Sequence, residues 1–150
     1  MSRSFRAWGI APPRFNTAVH VLVWLATADG IRPSAEIAAQ IQAHATYLRR
    51  VLAPLVQAGI VEAREGRVGG YFLARPAESI SLGEVYMALK TAPLSGPDVA
   101  PGVSLEEPDG GSRGERLEWL LDEILSGAEN RAVRFLSDVT IADLAKRLES

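Results

Sequence analysis

A chain of 150 residues with 47% hydrophobic content holds enough material for one globular domain plus a dimerisation element, and too little for two full cores. The net charge of −2 is unevenly spread: residues 1–75 carry nine Lys/Arg against four Asp/Glu (+5), and residues 76–150 carry seven against fourteen (−7), which directs any nucleic-acid partner to the first half. The complete lack of cysteine excludes disulfide sensing, sulfenic-acid chemistry and thiolate ligation of a metal cluster.

The first fourteen residues, MSRSFRAWGIAPPR, contain no apolar h-region, and the best apolar stretch, residues 18–28, contains His20 and Thr27 and is too short to cross a bilayer. A cytoplasmic protein with no membrane partner is expected. Residues 15–27 read as a first helix, with Phe15, Val19, Leu22 and Ala26 on its inward side and Thr17, His20 and Trp24 opposite. Ser34 suits the N-cap of a second helix over 35–42, with Glu36 in its first turn. Residues 42–45 then form a corner.

The next helix carries Leu48, Val51, Leu52, Leu55 and Val56 at helical spacing, so they face inward while Thr46, Arg50, Ala53 and Gln57 face out. A helix entering a DNA major groove needs such a face: small residues for close approach, and long donors near its start. Pro54 removes one internal hydrogen bond and predicts a bend, and Gly59 suits a left-handed cap. Residues 60–64 and 71–74 read as two short strands joined by Glu65-Gly66-Arg67-Val68-Gly69-Gly70, a bare turn with Arg67 at its tip, able to follow a minor groove. The expected fold is mainly α with a small β-hairpin wing, a winged helix-turn-helix. Its DNA-binding residues would be Thr46, Tyr47, Arg49, Arg50, Arg64, Arg67, Gly69 and Gly70.

Ser81-Leu82-Gly83-Glu84 is a capping box opening a helix to about residue 90. In residues 91–114, nine of twenty-four positions are Gly or Pro, the composition of a flexible loop. Ser112 and Glu115 form a second capping box, and the helix that follows runs to about residue 137. Its apolar side includes Leu117, Leu121, Ile124, Ala128 and Phe135; a stripe this long exceeds what a small domain needs and predicts pairing with a second copy about a two-fold axis. Thr140 caps a last helix over 141–148, with Asp143 at its third position. Three regions result: a DNA-binding domain over 1–90, a loop over 91–114, and a dimerisation helix with a C-terminal helix over 115–150.

The wing residues Gly66, Gly69, Gly70, Tyr71, Leu73 and Ala74 resemble the Gly-x-x-Gly-Gly-Tyr pattern and Leu-Ala pair of the Rrf-two family of bacterial winged-helix regulators. Further likeness lies in RFNTAVHVLVWLA from Arg14, in Tyr47-Leu48, in residues 55–61 and in Ser81-Leu82 to Val85. The resemblance spans roughly residues 14–148, within the usual few residues of boundary error. It implies a homodimeric transcription regulator acting on a double-stranded DNA operator, most often as a repressor. Two departures stand out. Relatives place Arg before the first wing Gly where this chain has Glu65, and several relatives hold an iron-sulfur cluster on three cysteines that this chain lacks, so no cofactor is expected.

No Ser/His/Asp arrangement, metal-spaced His cluster or phosphate-binding Gly loop is present, which argues against an enzyme. A rival reading is a protein-interaction adaptor that uses the winged-helix scaffold to bind a partner enzyme or regulator, favoured by the acidic second half and Glu65. Trp24 and Trp119 each sit on the second face of a helix. Either those faces pack together, or they enclose a pocket for a small-molecule effector with Thr17 and His20 as its polar groups and residues 91–114 as its lid.

Overall fold

A computed structural model describes residues 13–28, 30–91 and 110–150. Most of the expected loop over 91–114 falls outside these residues. The described elements are α1 (Pro13–Thr27), α2 (Ser34–Ile41), α3 (Ala45–Gln57), β1 (Val61–Arg64), β2 (Gly70–Leu73), a single 3-10 turn (Ala77–Ser79), α4 (Leu82–Thr91), α5 (Arg113–Ser137) and α6 (Ile141–Glu149). The mainly helical fold with a two-stranded wing is the expected one.

The core forms where α1, α2, α3, α4 and the start of α6 converge. Ala18, Val21 and Leu22 of α1 are fully buried against a cluster that includes Ile37, Leu52 and Leu89. This corrects the expected inward stripe of α1, because Val19 and Ala26 are only half-buried while Ala18, Val21 and Leu25 are interior. The cause is that α1 is apolar at nearly every position from 18 to 26 and is packed from several sides, so its pattern names no single face. On α3, Leu48, Val51, Leu52 and Leu55 are buried as expected, but Val56 is exposed. At about 100° per residue it lies roughly 80° round from Leu48, on the flank of the stripe.

Local capping sets most helix ends. Beyond α3, Gly59 has φ +75°, its N–H donates to the Val56 carbonyl at 3.1 Å, and the Ile60 N–H donates to the Leu55 carbonyl at 3.0 Å. These two bonds make the Schellman stop, with Ile60 buried beside Leu55. Capping boxes open α4 (Ser81 with Glu84), α5 (Ser112 with Glu115) and α6 (Thr140 with Asp143). The expected cap at Ser34 is corrected by one position: Pro33 occupies it in extended conformation, without a side-chain bond, and Ser34 is the first helical residue. A proline fixed near φ −61° can end the extended segment, and the Glu36 N–H donates to its carbonyl at 3.0 Å.

Helix α5 lies against α4. Any Cβ on Gly83 would meet Ser137, so glycine permits the close crossing of these two helices. Glu129 of α5 accepts hydrogen bonds from the Tyr86 hydroxyl, at 3.1 Å, and from the Lys90 ammonium, both on α4. The chain then returns to the first core: Leu82 N–H donates to Val139 O at 2.8 Å, Ile141 N–H donates to Ile80 O at 2.9 Å, and Ile141 is fully buried. Packed against α1, α6 therefore shares a core with residues far earlier in the chain.

Candidate nucleic-acid interface

The corner between α2 and α3 turns on Gln42, the one non-glycine among the described residues with positive φ, +55°. Its N–H and that of Ala43 donate to Ala39 and Ala38 carbonyls, closing the end of α2 and redirecting the chain into α3. Five buried residues, Leu48, Val51, Leu52, Pro54 and Leu55, pin α3, leaving Thr46, Arg49, Arg50 and Ala53 exposed. Two guanidinium groups and two small side chains thus occupy one accessible face. Tyr47, grouped by sequence with the DNA-facing residues, is half-buried and packs on the core.

The wing follows α3 directly. Its strands are antiparallel, pairing Val61 with Leu73 and Arg64 with Gly70. At the tip, Gly69 N–H donates to Gly66 O at 3.0 Å, which puts Arg67 and Val68 at the two corner positions of a tight turn; Gly66 has φ +109°. Arg67 is exposed, as is Glu65. Val68 is 82% exposed, a feature sequence reasoning missed although an apolar residue at a turn corner was its visible signal. The Arg64 guanidinium lies over the Phe72 ring, 5.9 Å from its centroid, and so leans along the hairpin rather than toward its tip.

Gly69 owes its identity to packing within the wing, and Gly70 to packing of the wing against the connection between α1 and α2. A Cβ on Gly69 would stand 2.5 Å from the Arg64 carbonyl oxygen, and one on Gly70 would stand 2.2 Å from that of Arg32. The second approach exists because Arg32, in the connection between α1 and α2, pairs with Tyr71: its N–H donates to Tyr71 O at 2.9 Å and its carbonyl accepts from Tyr71 N–H at 2.8 Å. The tip-side end of β2 is thereby bolted to the connection between α1 and α2. Arg32 also ion-pairs with Glu36 at 3.3 Å and lays its guanidinium over Trp24, 5.8 Å from the ring centroid.

The expected effector residues are split by the fold. His20 and Trp24 line a cleft of about 430 Å³, but Thr17 and Trp119 are not among its lining residues. Its far wall comes from α6, through Leu144, Arg147 and Leu148, because α6 and not α5 packs on α1. On α5 no residue is buried: Leu117, Leu121, Ile124 and Phe135 are 55%, 47%, 65% and 72% exposed, and Ala128 is exposed as well. Among the described residues no group of three or more His, Asp or Glu could hold a metal ion, and no helix is long and apolar enough to cross a membrane.

Comparison with known proteins agrees with this geometry. The Rrf2 family model, described as an iron-dependent transcriptional regulator, matches residues 12–147. The HTH-type transcriptional regulator IscR of Cereibacter sphaeroides is 32% identical over 112 residues, covering 75% of this chain and 68% of that protein. Two solved structures share the fold: IscR of T. potens, at 21% identity and TM-score 0.63 over 91% of this chain and 86% of that one, and CymR, the global cysteine regulator of B. subtilis, at 22% identity and TM-score 0.61 over 91% and 95%. The family's iron dependence meets a chain without cysteine, and the residues present do not fit a cluster held by thiolates.

Proposed function

Because this chain belongs to the Rrf2 family of DNA-binding transcriptional regulators, we propose that it works as a homodimeric repressor in the cytoplasm, reading a two-fold operator without an iron-sulfur cluster. The family is one of regulators and not of enzymes. The single observation carrying this reading is the exposed face of α3 with Thr46, Arg49 and Arg50, followed at once by an anchored wing that presents Arg67. Arg49 and Arg50 are assigned to base edges or phosphates in the major groove, and Arg67 to the backbone beside the minor groove. Gly69 and Gly70 serve this indirectly, Gly69 by letting the wing turn close on Arg64 and Gly70 by letting β2 close against Arg32.

Pairing is assigned to α5. A 25-residue helix spans about 37 Å at about 1.5 Å per residue, and its Leu117, Leu121, Ile124 and Phe135 face solvent in the single chain. Exposed stripes of this size mark interaction surfaces, and a two-fold axis across the stripe places two copies of α3 on one face of DNA, about one helical turn apart. Residues 1–90 then read DNA and α5 pairs the copies, while α6 braces the DNA-reading body through Ile141.

Selection of genomic promoter fragments on the purified protein, followed by footprinting, tests the proposal. A protected, roughly palindromic site with salt-sensitive affinity is expected. Co-purification with a stoichiometric partner protein and no salt-sensitive DNA binding would instead fit an adaptor and overturn it.

A further inference from the structure

Burial falls along α6 where it packs on α1: Ile141 is fully buried, Leu144 is half-buried, and Leu148 is 75% exposed. The space between the two helices, closed at one side by Gln40 and Ile41 at the end of α2, is the cleft of about 430 Å³. Its walls are mostly aliphatic and aromatic, with Val23, Trp24 and Leu144 among them. Its polar groups are few, and among the described residues of the lining Arg147 alone carries a permanent charge and none is a carboxylate. The volume falls within the range of about 300–1,000 Å³ typical of small-molecule sites. At about 30 Å³ per molecule, it would otherwise hold on the order of a dozen waters against apolar walls, and an apolar body gains affinity by displacing poorly ordered water.

We propose that this cleft is an effector site for a small amphipathic monoanion, a medium-chain or aromatic carboxylate, whose apolar body lies against Trp24 and Leu144 and whose carboxylate pairs with Arg147. A planar guanidinium matches a carboxylate through two parallel N–H bonds, and His20 and Gln40 supply further polar atoms in the lining. The site reports to the wing through Arg32. Trp24 lies in the cleft wall and under the Arg32 guanidinium, and the Arg32 backbone is hydrogen-bonded in both directions to Tyr71 and packed on Gly70. The Arg32 Nε is buried without a hydrogen-bond partner among the described residues, and its side chain is held by the Trp24 face and the Glu36 carboxylate. A ligand that shifts Trp24 moves the residue to which strand β2 of the wing is bolted. It alters DNA affinity to the extent that it binds the two wing positions unequally.

This coupling rests on the DNA-binding reading, whereas occupancy of the cleft does not, and the two are measured apart. Octanoate and 1-octanol are the probes, titrated into the full chain carrying Trp8→Phe and Trp119→Phe so that Trp24 is the reporting fluorophore. Saturable quenching by octanoate is expected. Arg147→Gln, a change at an exposed position, should weaken octanoate about tenfold and leave octanol unchanged, while Val23→Trp should remove both. Equal octanoate affinity in Arg147→Gln, no saturable change, or affinity that falls as protein concentration rises because a second copy covers the cleft would each overturn the proposal. With a footprinted operator, octanoate should change DNA affinity in the parent and not in Arg32→Ala, which should still bind octanoate. An unaltered operator affinity at saturating octanoate refutes the coupling; octanoate binding by a protein that binds no promoter fragment refutes the DNA reading and leaves the site standing.

Discussion

Helices α1 and α5 are both rich in apolar residues, yet Ala18, Val21 and Leu22 of α1 are fully buried and nothing on α5 is. The apolar surface of α1 is satisfied within one chain. That of α5 touches the chain mainly where Val133 and Leu136 meet the core, and its first four turns hold their leucines in solvent. On the proposed reading, identical side-chain chemistry stabilises the fold in one helix and is left free for assembly in the other. The two are separable because a contribution from folding is independent of protein concentration and one from pairing is not.

The largest effect expected is on assembly. Ile124→Asp puts a charge in the middle of the α5 stripe, where pairing would bury it without a partner, so sedimentation should show a folded monomer and operator binding should collapse. A well-folded dimer of this variant would move the interface elsewhere. By contrast, Leu22→Ala on α1 should cost about 2–5 kcal/mol of stability through the cavity it leaves. Its melting temperature, measured across a range of protein concentrations, should fall by the same amount at each. A loss that grows on dilution would mean that α1 also serves the interface.

The hinge between the two regimes is the Thr140 cap, where the chain leaves α5 and rejoins the core. Thr140→Ala should cost about 0.5–2 kcal/mol, read by urea denaturation, with no change in oligomeric state. Its capping partner adds a pH signature. Thr140 backbone and side-chain hydrogen bonds hold the Asp143 carboxyl below its ordinary range, so its contribution is present above the unfolded-state pKa and is lost as pH falls through the lower folded value. Asp143→Asn should therefore reduce stability at neutral pH and weaken the acid dependence; an unchanged acid limb would show that the cap does not titrate with folding. Smallest of all is Glu65→Arg at the wing, which should leave stability and assembly alone and tighten DNA binding, chiefly at low salt. Anisotropy titrations showing no gain would place the wing tip away from phosphate.

What was legible in the sequence was mostly local. Gly59, the Ser81, Ser112 and Thr140 boxes and the α3 stripe are set by residues within a few positions of one another, and each appears where the pattern puts it. Apart from the cap expected at Ser34 and taken by Pro33 one position earlier, the misses are of two kinds. At Val56 and along α1 the periodicity is correct but the apolar arc is wider than the buried one, so neighbours rather than spacing decide which residues are covered. The pairing of Arg32 with Tyr71, the burial of Ile141 beside α1 and the replacement of Trp119 by α6 in the cleft wall depend on contacts between distant segments, which leave no periodic trace. The candidate DNA residues divide the same way: Arg49, Arg50 and Arg67 are exposed as their local pattern implies, whereas Gly69 and Gly70 answer to Arg64 and Arg32.

The central claim, that α3 reads DNA, is tested most directly by fluorescence-anisotropy binding of the footprinted operator over a series of salt concentrations, comparing the parent with the Arg49→Ala, Arg50→Ala double variant. Loss of phosphate contacts should lower the slope of log affinity against log salt by about 0.9 for each contact removed, and loss of a base contact should cost about 1–3 kcal/mol with relaxed sequence preference. The account predicts one or both at unchanged melting temperature. An unchanged slope and undiminished affinity for the operator would contradict it.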